Sequence, residues 1–331
     1  MRSQSLLVDG LKASAALVIV GHHVSAYAPF AQDQRAVLSF FIEWLYDYGR
    51  MAVSIFLVLG GFLAMQSIAG KAGQFGFRLI WQRYRRLMPL YLVALVITTL
   101  CVALARPVFQ AGWLPDSPTV GQVIAHVLLA QDWLGISALT AGAWYIAIDF
   151  QLYSLTVICF LLCQRAGLGP LYFAAILFVL AAASMFMFNR NTALDWAAIY
   201  FVGAYGLGIF AALAPQQRAY AFAFAAMVVL SFAALAIEFR PRLLLATLTA
   251  VGLALVSFGP ARVKRAGLIE VLSHSSYAIF LLHFSVIVVL SALWAHSGLQ
   301  QPVAAILFVL ATLVISVLVG VVAHRVIEQK L

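Results

Sequence analysis

Charge is what this sequence has least of. Of 331 residues only 9% are Asp, Glu, Lys or Arg, against 65% hydrophobic, and the mean hydropathy is +1.03. A soluble domain carries about 25% charged residues, because its surface must be wetted. That shortage excludes a cytosolic globular enzyme, a disordered regulator and a nucleic-acid binder. Cysteine is equally scarce, at three. Cys101, Cys159 and Cys163 all lie in apolar runs, so neither a disulfide framework nor a metal cluster is expected. Acidic residues are fewer than basic ones, 11 against 20, for a net charge of +9. In so apolar a chain this imbalance reads as cytoplasmic loops facing anionic lipid. No repeat of fixed period is visible, so the inverted-repeat pattern of many transporters is missing.

What is present is a succession of apolar runs. Ten are long enough to suggest helical spans, near 5–28, 48–69, 88–105, 143–164, 169–188, 195–213, 219–238, 243–259, 276–296 and 302–324. They predict an all-α polytopic membrane protein, one bundle over residues 1–331. Prolines 89, 107, 115, 118, 170, 215, 241, 260 and 302 punctuate the run ends. Segment 120–135 is too short and polar to span and is expected at the interface or re-entering. With the N-terminus inside, inner segments collect thirteen Lys and Arg and outer ones six, which predicts both termini in the cytoplasm. Residues 13–21 with Ala26-Tyr27-Ala28 imitate a cleaved leader, but Asp9, Lys12 and His22-His23 interrupt the apolar stretch. Retention as a first span is expected.

Ionisable groups inside a membrane are costly and mark function by default. Within the spans stand Asp9, Lys12, His22, His23, Asp149 and His283. Lys12 and His23 are eleven residues apart, so on a helix they differ by about 20° in azimuth and about 16 Å in height. Asp9 lies near that stripe, and an Asp9–Lys12 pair is an equally simple structural use of both. Histidine takes a proton near neutral pH, which suits His23 to activate a hydroxyl. Asp149, in AWYIAIDFQLY (143–153), can orient an imidazole, hold a hydroxyl or anchor a helix; Tyr153 follows one turn later. His283 lies seven residues after Ser276 and can serve a helix–helix hydrogen bond. Residues 70–91 gather Lys71, Arg78, Arg83, Arg85 and Arg86 among Phe77, Trp81 and Tyr84. They read as a basic interfacial helix, either a lipid anchor or a phosphate clamp.

In order and spacing these pieces resemble the integral membrane acyltransferases of acyltransferase family 3. The start VDGLKASAALVIVGHH (8–23) is similar to that family's DGLR span, with its Arg/Lys-x10-His motif on Lys12 and His23. IFLVLGGF (55–62) resembles FFxxSGF, with Gly60 in place of serine. RxxR falls on Arg83 and Arg86. WSLxxExxFY resembles Trp144 to Tyr153, with Asp149 in place of glutamate. SYxxYLxHWP resembles Ser276 to Ser285, keeping Ser276, Tyr277 and His283. A terminal RxxE falls on Arg325 and Glu328. The resemblance covers about residues 8–328.

The resemblance implies an O-acyltransferase, most simply an O-acetyltransferase, of a bacterial inner membrane. It implies acetyl-CoA as co-substrate and a carbohydrate acceptor, such as a surface or exopolysaccharide, with no metal and no permanently bound cofactor. His23, Lys12 and Asp149 are the candidate catalytic residues. Arg83, Arg86, Arg85 and Lys71 are candidates for the phosphates of CoA. Asp9, Trp144, Tyr153, Ser276, Tyr277 and His283 are candidate supports. Physics alone leaves two further readings open: a proton-coupled transporter or flippase, and a scaffold subunit whose polar residues join helices.

Overall fold

The computed structural model describes residues 6–33, 35–69, 76–258 and 267–330, and within them the regular structure is helical, with no strand. In chain order the helices are α1 (Leu6–Tyr27), α2 (Pro29–Asp33), α3 (Arg35–Tyr48), α4 (Val53–Ala69), α5 (Gly76–Ala105), α6 (Val120–Val127) and α7 (Ala143–Arg165). They are followed by α8 (Pro170–Phe186), α9 (Ala198–Leu213), α10 (Arg218–Ile237), α11 (Pro241–Phe258), α12 (Leu268–Ser297) and α13 (Pro302–Val326). Pro170 and Pro302 sit at helix starts, where the missing N–H has no partner to lose. Gly298 closes α12 at φ 64°, a left-handed turn that favours glycine. Among the described residues nine helical stretches are long and apolar enough to cross a membrane. The chain is an all-α, polytopic integral membrane protein.

Three expectations need correction. The sixth run, 195–213, forms α9, only 16 residues. At 1.5 Å per residue it covers about 24 Å, short of the roughly 30 Å hydrocarbon layer. It is buried along nearly all its length, so protein rather than lipid surrounds it. The second span begins earlier than residue 48: α3, a short 3-10 turn (Gly49–Ala52) and α4 make one apolar stretch, Phe40–Ile68. The basic segment 70–91 is not a separate interfacial helix. From Gly76 it is the first half of a continuous 30-residue α5 that runs through Pro89. A proline is tolerated within a membrane helix where neighbouring groups support the backbone. Here the Tyr277 hydroxyl donates to Leu87 O at 2.9 Å beside it. Segment 120–135 holds the short α6, whose Thr119 caps the Gln122 amide in a reciprocal capping box.

The chain contacts cluster into two units. One comprises Met1–Val8, Val53–Arg86 and Tyr145–Lys264. At its centre α9 packs on α4, α8, α10 and α11. The approach of α4 to α9 is backbone to backbone: a Cβ on Gly61 would overlap the Tyr205 carbonyl, and one on Gly208 the Val58 carbonyl. Small residues at such crossings are how membrane helices gain contact where apolar burial gives no drive. The other unit comprises Asp9–Ala52, Leu87–Trp144 and Arg265–Leu331. Its α12 is enclosed on most faces, and α13 lies along it. The outer face of α13 presents Leu307, Leu310, Val314, Leu318 and Val322, one stripe suited to lipid. Thr98 of α5 and Ser285 of α12 share a hydrogen bond of 2.8 Å in the interior.

Candidate active site

In the second unit α1 and α12 bring two histidines together across 260 residues of sequence. Nδ1 of His23 lies 2.6 Å from Nε2 of His283, and the rings are within 3° of parallel. Only one proton fits between two ring nitrogens at that distance. The other nitrogen of His283, Nδ1, faces Ile279 O at 3.3 Å, and a carbonyl can only accept. Nδ1 of His283 therefore carries hydrogen, and its Nε2 offers a lone pair. The shared proton then belongs to His23 Nδ1, which leaves a lone pair on His23 Nε2. A base whose second nitrogen is held by a buried acceptor is the arrangement that general-base catalysis requires.

The surroundings fix this pair. Tyr27, one turn after His23, stacks on its ring at 5.4 Å. Adjacent His22 points elsewhere, its Nδ1 donating to Leu45 O at 3.0 Å. Ser276 donates to Ser273 O within its own helix, and Tyr277 to Leu87 O, so both support α12. Asp9 accepts from Ser273 at 2.6 Å in a buried contact. Lys12 is half-buried on α1. Trp144, also half-buried, stands in the first turn of α7.

The first unit holds a polar cluster of its own residues. Nη2 of Arg83 meets Oδ2 of Asp149 at 2.5 Å. The Arg83 guanidinium also lies over the Tyr153 ring at 5.4 Å, so Asp149 and Tyr153, one turn apart on α7, hold one cation. Behind the carboxylate is Gly60, where a Cβ would come within 3.2 Å of Asp149 Oδ1 and 3.1 Å of the Tyr205 ring. Tyr205 is buried, and no sequence pattern had singled it out. The charge of Asp149 is thus met by Arg83, while the ring nitrogen that neighbours His23 is that of His283. Arg83 turns inward to Asp149, whereas Arg85 and Arg86 are exposed. Lys71, the fourth of the candidates for the CoA phosphates, lies outside the described residues.

Comparison with protein families decides what this architecture is. The acyltransferase 3 family model, described as an acyltransferase domain, matches residues 6–325. The chain belongs to that family. It is a membrane acyltransferase. No match is found among curated proteins or among solved structures.

Other polar features of this acyltransferase had no signal in the sequence. His126 of α6 is fully buried: its Nδ1 donates to Gln122 O at 2.8 Å, and its Nε2 accepts from the Leu139 amide at 3.1 Å. Burial lowers its pKa, partly offset by the Gln122 carbonyl. Tyr91, Gln131 and Thr140 are buried, and the Tyr91 hydroxyl, Gln131 Oε1 and Thr140 Oγ1 have no hydrogen-bond partner among the described residues. In a linear sequence His126, Gln131 and Thr140 look like parts of an ordinary polar loop, and Tyr91 like one more aromatic in an apolar run.

Proposed function

We propose that the protein transfers an acyl group, acetyl in the simplest case, from acyl-CoA to a hydroxyl of a carbohydrate in a bacterial inner membrane. The observation that carries this reading is the His23–His283 pair, with one basic nitrogen left open. His23 Nε2 takes the proton of the acceptor hydroxyl as its oxygen attacks the thioester carbonyl carbon. The carbon–sulfur bond then breaks, and the CoA thiolate leaves and takes the proton back from His23. The products are an ester and free CoA thiol, with no redox change and no metal in the balance. His283 Nε2 stabilises the imidazolium formed midway by accepting from Nδ1. Exposed Arg85 and Arg86 suit the phosphates of CoA, since guanidinium groups chelate phosphate oxygens. The Arg83–Asp149 pair, with Tyr153, holds α5 to α7 in their unit.

The test is label transfer from radioactive acetyl-CoA to surface glycan by the purified protein in nanodiscs. His23→Ala is expected to lower kcat by about 10²–10⁴, the worth of a general base. Export of glycan without acylation would instead favour a transporter. Undiminished transfer by His23→Ala removes His23 as the base.

A further inference from the structure

The connection from α8 to α9 and that from α10 to α11 meet at one end of the first unit, where they gather three arginines. Nε of Arg190 donates to Glu238 Oε2 at 2.7 Å. Arg240 is buried, with Nη1 on Asn189 Oδ1 at 2.8 Å and Nη2 on Met185 O at 2.9 Å. Arg242 stands over the Tyr200 ring at 4.9 Å, and Asn189 also donates to Tyr200 O at 3.0 Å. The three cations converge on Glu238. The hydrogen bond from Arg190 holds its carboxyl below the usual carboxylate range, and the charges of Arg190, Arg240 and Arg242 add to this. Asp195, the other acid nearby, is exposed and in no ion pair among the described residues.

This excess stands where a membrane chain carries few cations. Of the six basic residues that the expected topology leaves outside, three are these. Arg240 is spent on tying the end of α8 to the start of α11. Arg190 and Arg242 are placed differently. The Arg190 side chain is 47% exposed with only Nε engaged among the described residues, and Arg242 is half-buried with its charge set against a neutral ring. A guanidinium presents N–H groups in a fixed fork that matches phosphate oxygens. The rim of the cluster is apolar: Met187, Trp196, Ile237 and Phe239 are exposed around it, and Val229 and Phe232 continue that surface along α10. Cations at the end of an apolar helix face match a phospholipid, charge against headgroup and hydrocarbon against side chain.

We propose that Arg190 and Arg242 bind the phosphate of an anionic lipid, with Arg240 adding its charge from behind and the acyl chains lying along α10. Glu238 competes with that phosphate for Arg190. A free phosphate would leave the apolar rim unused. The site does not depend on acyl transfer, so it stands or falls apart from that reading.

Glu238 supplies the test, because a lipid site and a structural salt bridge respond to its loss in opposite ways. The full chain would be reconstituted in vesicles of mixed phosphatidylglycerol and phosphatidylcholine, one of the two brominated in its acyl chains. Quenching of Trp196, taken as the difference from Trp196→Phe, reads which lipid sits at this rim. Phosphatidylglycerol is expected to be preferred by about tenfold, a preference that Arg242→Gln should bring close to one. Glu238→Gln frees Arg190 and should raise the preference by about threefold. Equal quenching by the two lipids in the wild-type protein overturns the proposal, as does a preference unmoved by R242Q. A preference that E238Q lowers or leaves alone makes the Arg190–Glu238 pair purely structural and overturns it too. Loss of the preference to inorganic phosphate, but not to chloride at equal ionic strength, would show a free-anion site in place of a lipid site.

Discussion

At the residue scale the proposed chemistry rests on the imidazole pair, and the pair's direction follows from hydrogen-bond bookkeeping. Ile279 O can only accept, which fixes His283 and in turn opens Nε2 of His23. Removing the acceptor should thus damage the base without touching it. His283→Leu is expected to lower kcat by on the order of 10²–10⁴ with little change in the acyl-CoA KM. His283→Asn, whose amide oxygen can accept from Nδ1, should recover part of that loss in the same labelled-transfer assay. Equal loss in both variants would show that His283 does more than orient its neighbour. His23 was legible in the sequence because a histidine inside an apolar run is expensive. Its partner was not, because the sequence offered Asp149 for that place and His283 only for a helix–helix hydrogen bond. Asp149 went to a nearby guanidinium, the strongest partner for a buried carboxylate.

At the element scale two features can be broken separately. Gly208 brings α9 against the Val58 carbonyl of α4. Gly208→Val should part these helices and cost about 1–3 kcal/mol as overpacking does, read as a lower midpoint in thermal unfolding in detergent. The same substitution at Gly252, where the nearest atom to a Cβ is a leucine methyl at 3.7 Å, should be much milder. The second feature is the His126 clip between α6 and the 139–143 turn. Its folded pKa lies below the ordinary 6.5, so the fold prefers the neutral ring. The resulting stability is complete above pH 6.5 and is lost as pH falls through the lowered folded value. Protonation at Nε2 also ends acceptance from Leu139. Hydrogen exchange at the Leu139 amide, corrected for intrinsic rate, should therefore quicken on acidification, while His126→Gln should flatten that dependence. Helix existence was largely legible from apolar length. The joins at Pro89 and at residues 48–53 were not, because a proline or glycine marks a break only where no neighbour supports the backbone.

For the whole molecule, the expected placement of both termini inside, with thirteen inner against six outer basic residues, implies an even number of crossings. The nine long spans among the described residues are odd in number, so the expected N-in, C-in topology holds only if the short, protein-enclosed α9 also passes from one side to the other. A cysteine replacing Thr192 should then react with an impermeant maleimide from outside intact cells, and one replacing Gln216 only after the cells are opened. Labelling of both from one side would remove α9 from the spans and put the C-terminus opposite the N-terminus. The sequence by itself determined the solvent, because so few charges cannot wet a surface. It also determined the helical class, because apolar runs of this length must satisfy their own backbone in lipid. Six ordered motifs carried the family resemblance as well. The tertiary structure alone decided which polar groups meet. Pairing between His23 and His283, or Arg83 and Asp149, depends on angstrom distances between helices far apart in the chain. Apolar packing sets those distances, and the apolar pattern of a membrane helix looks the same toward lipid as toward protein.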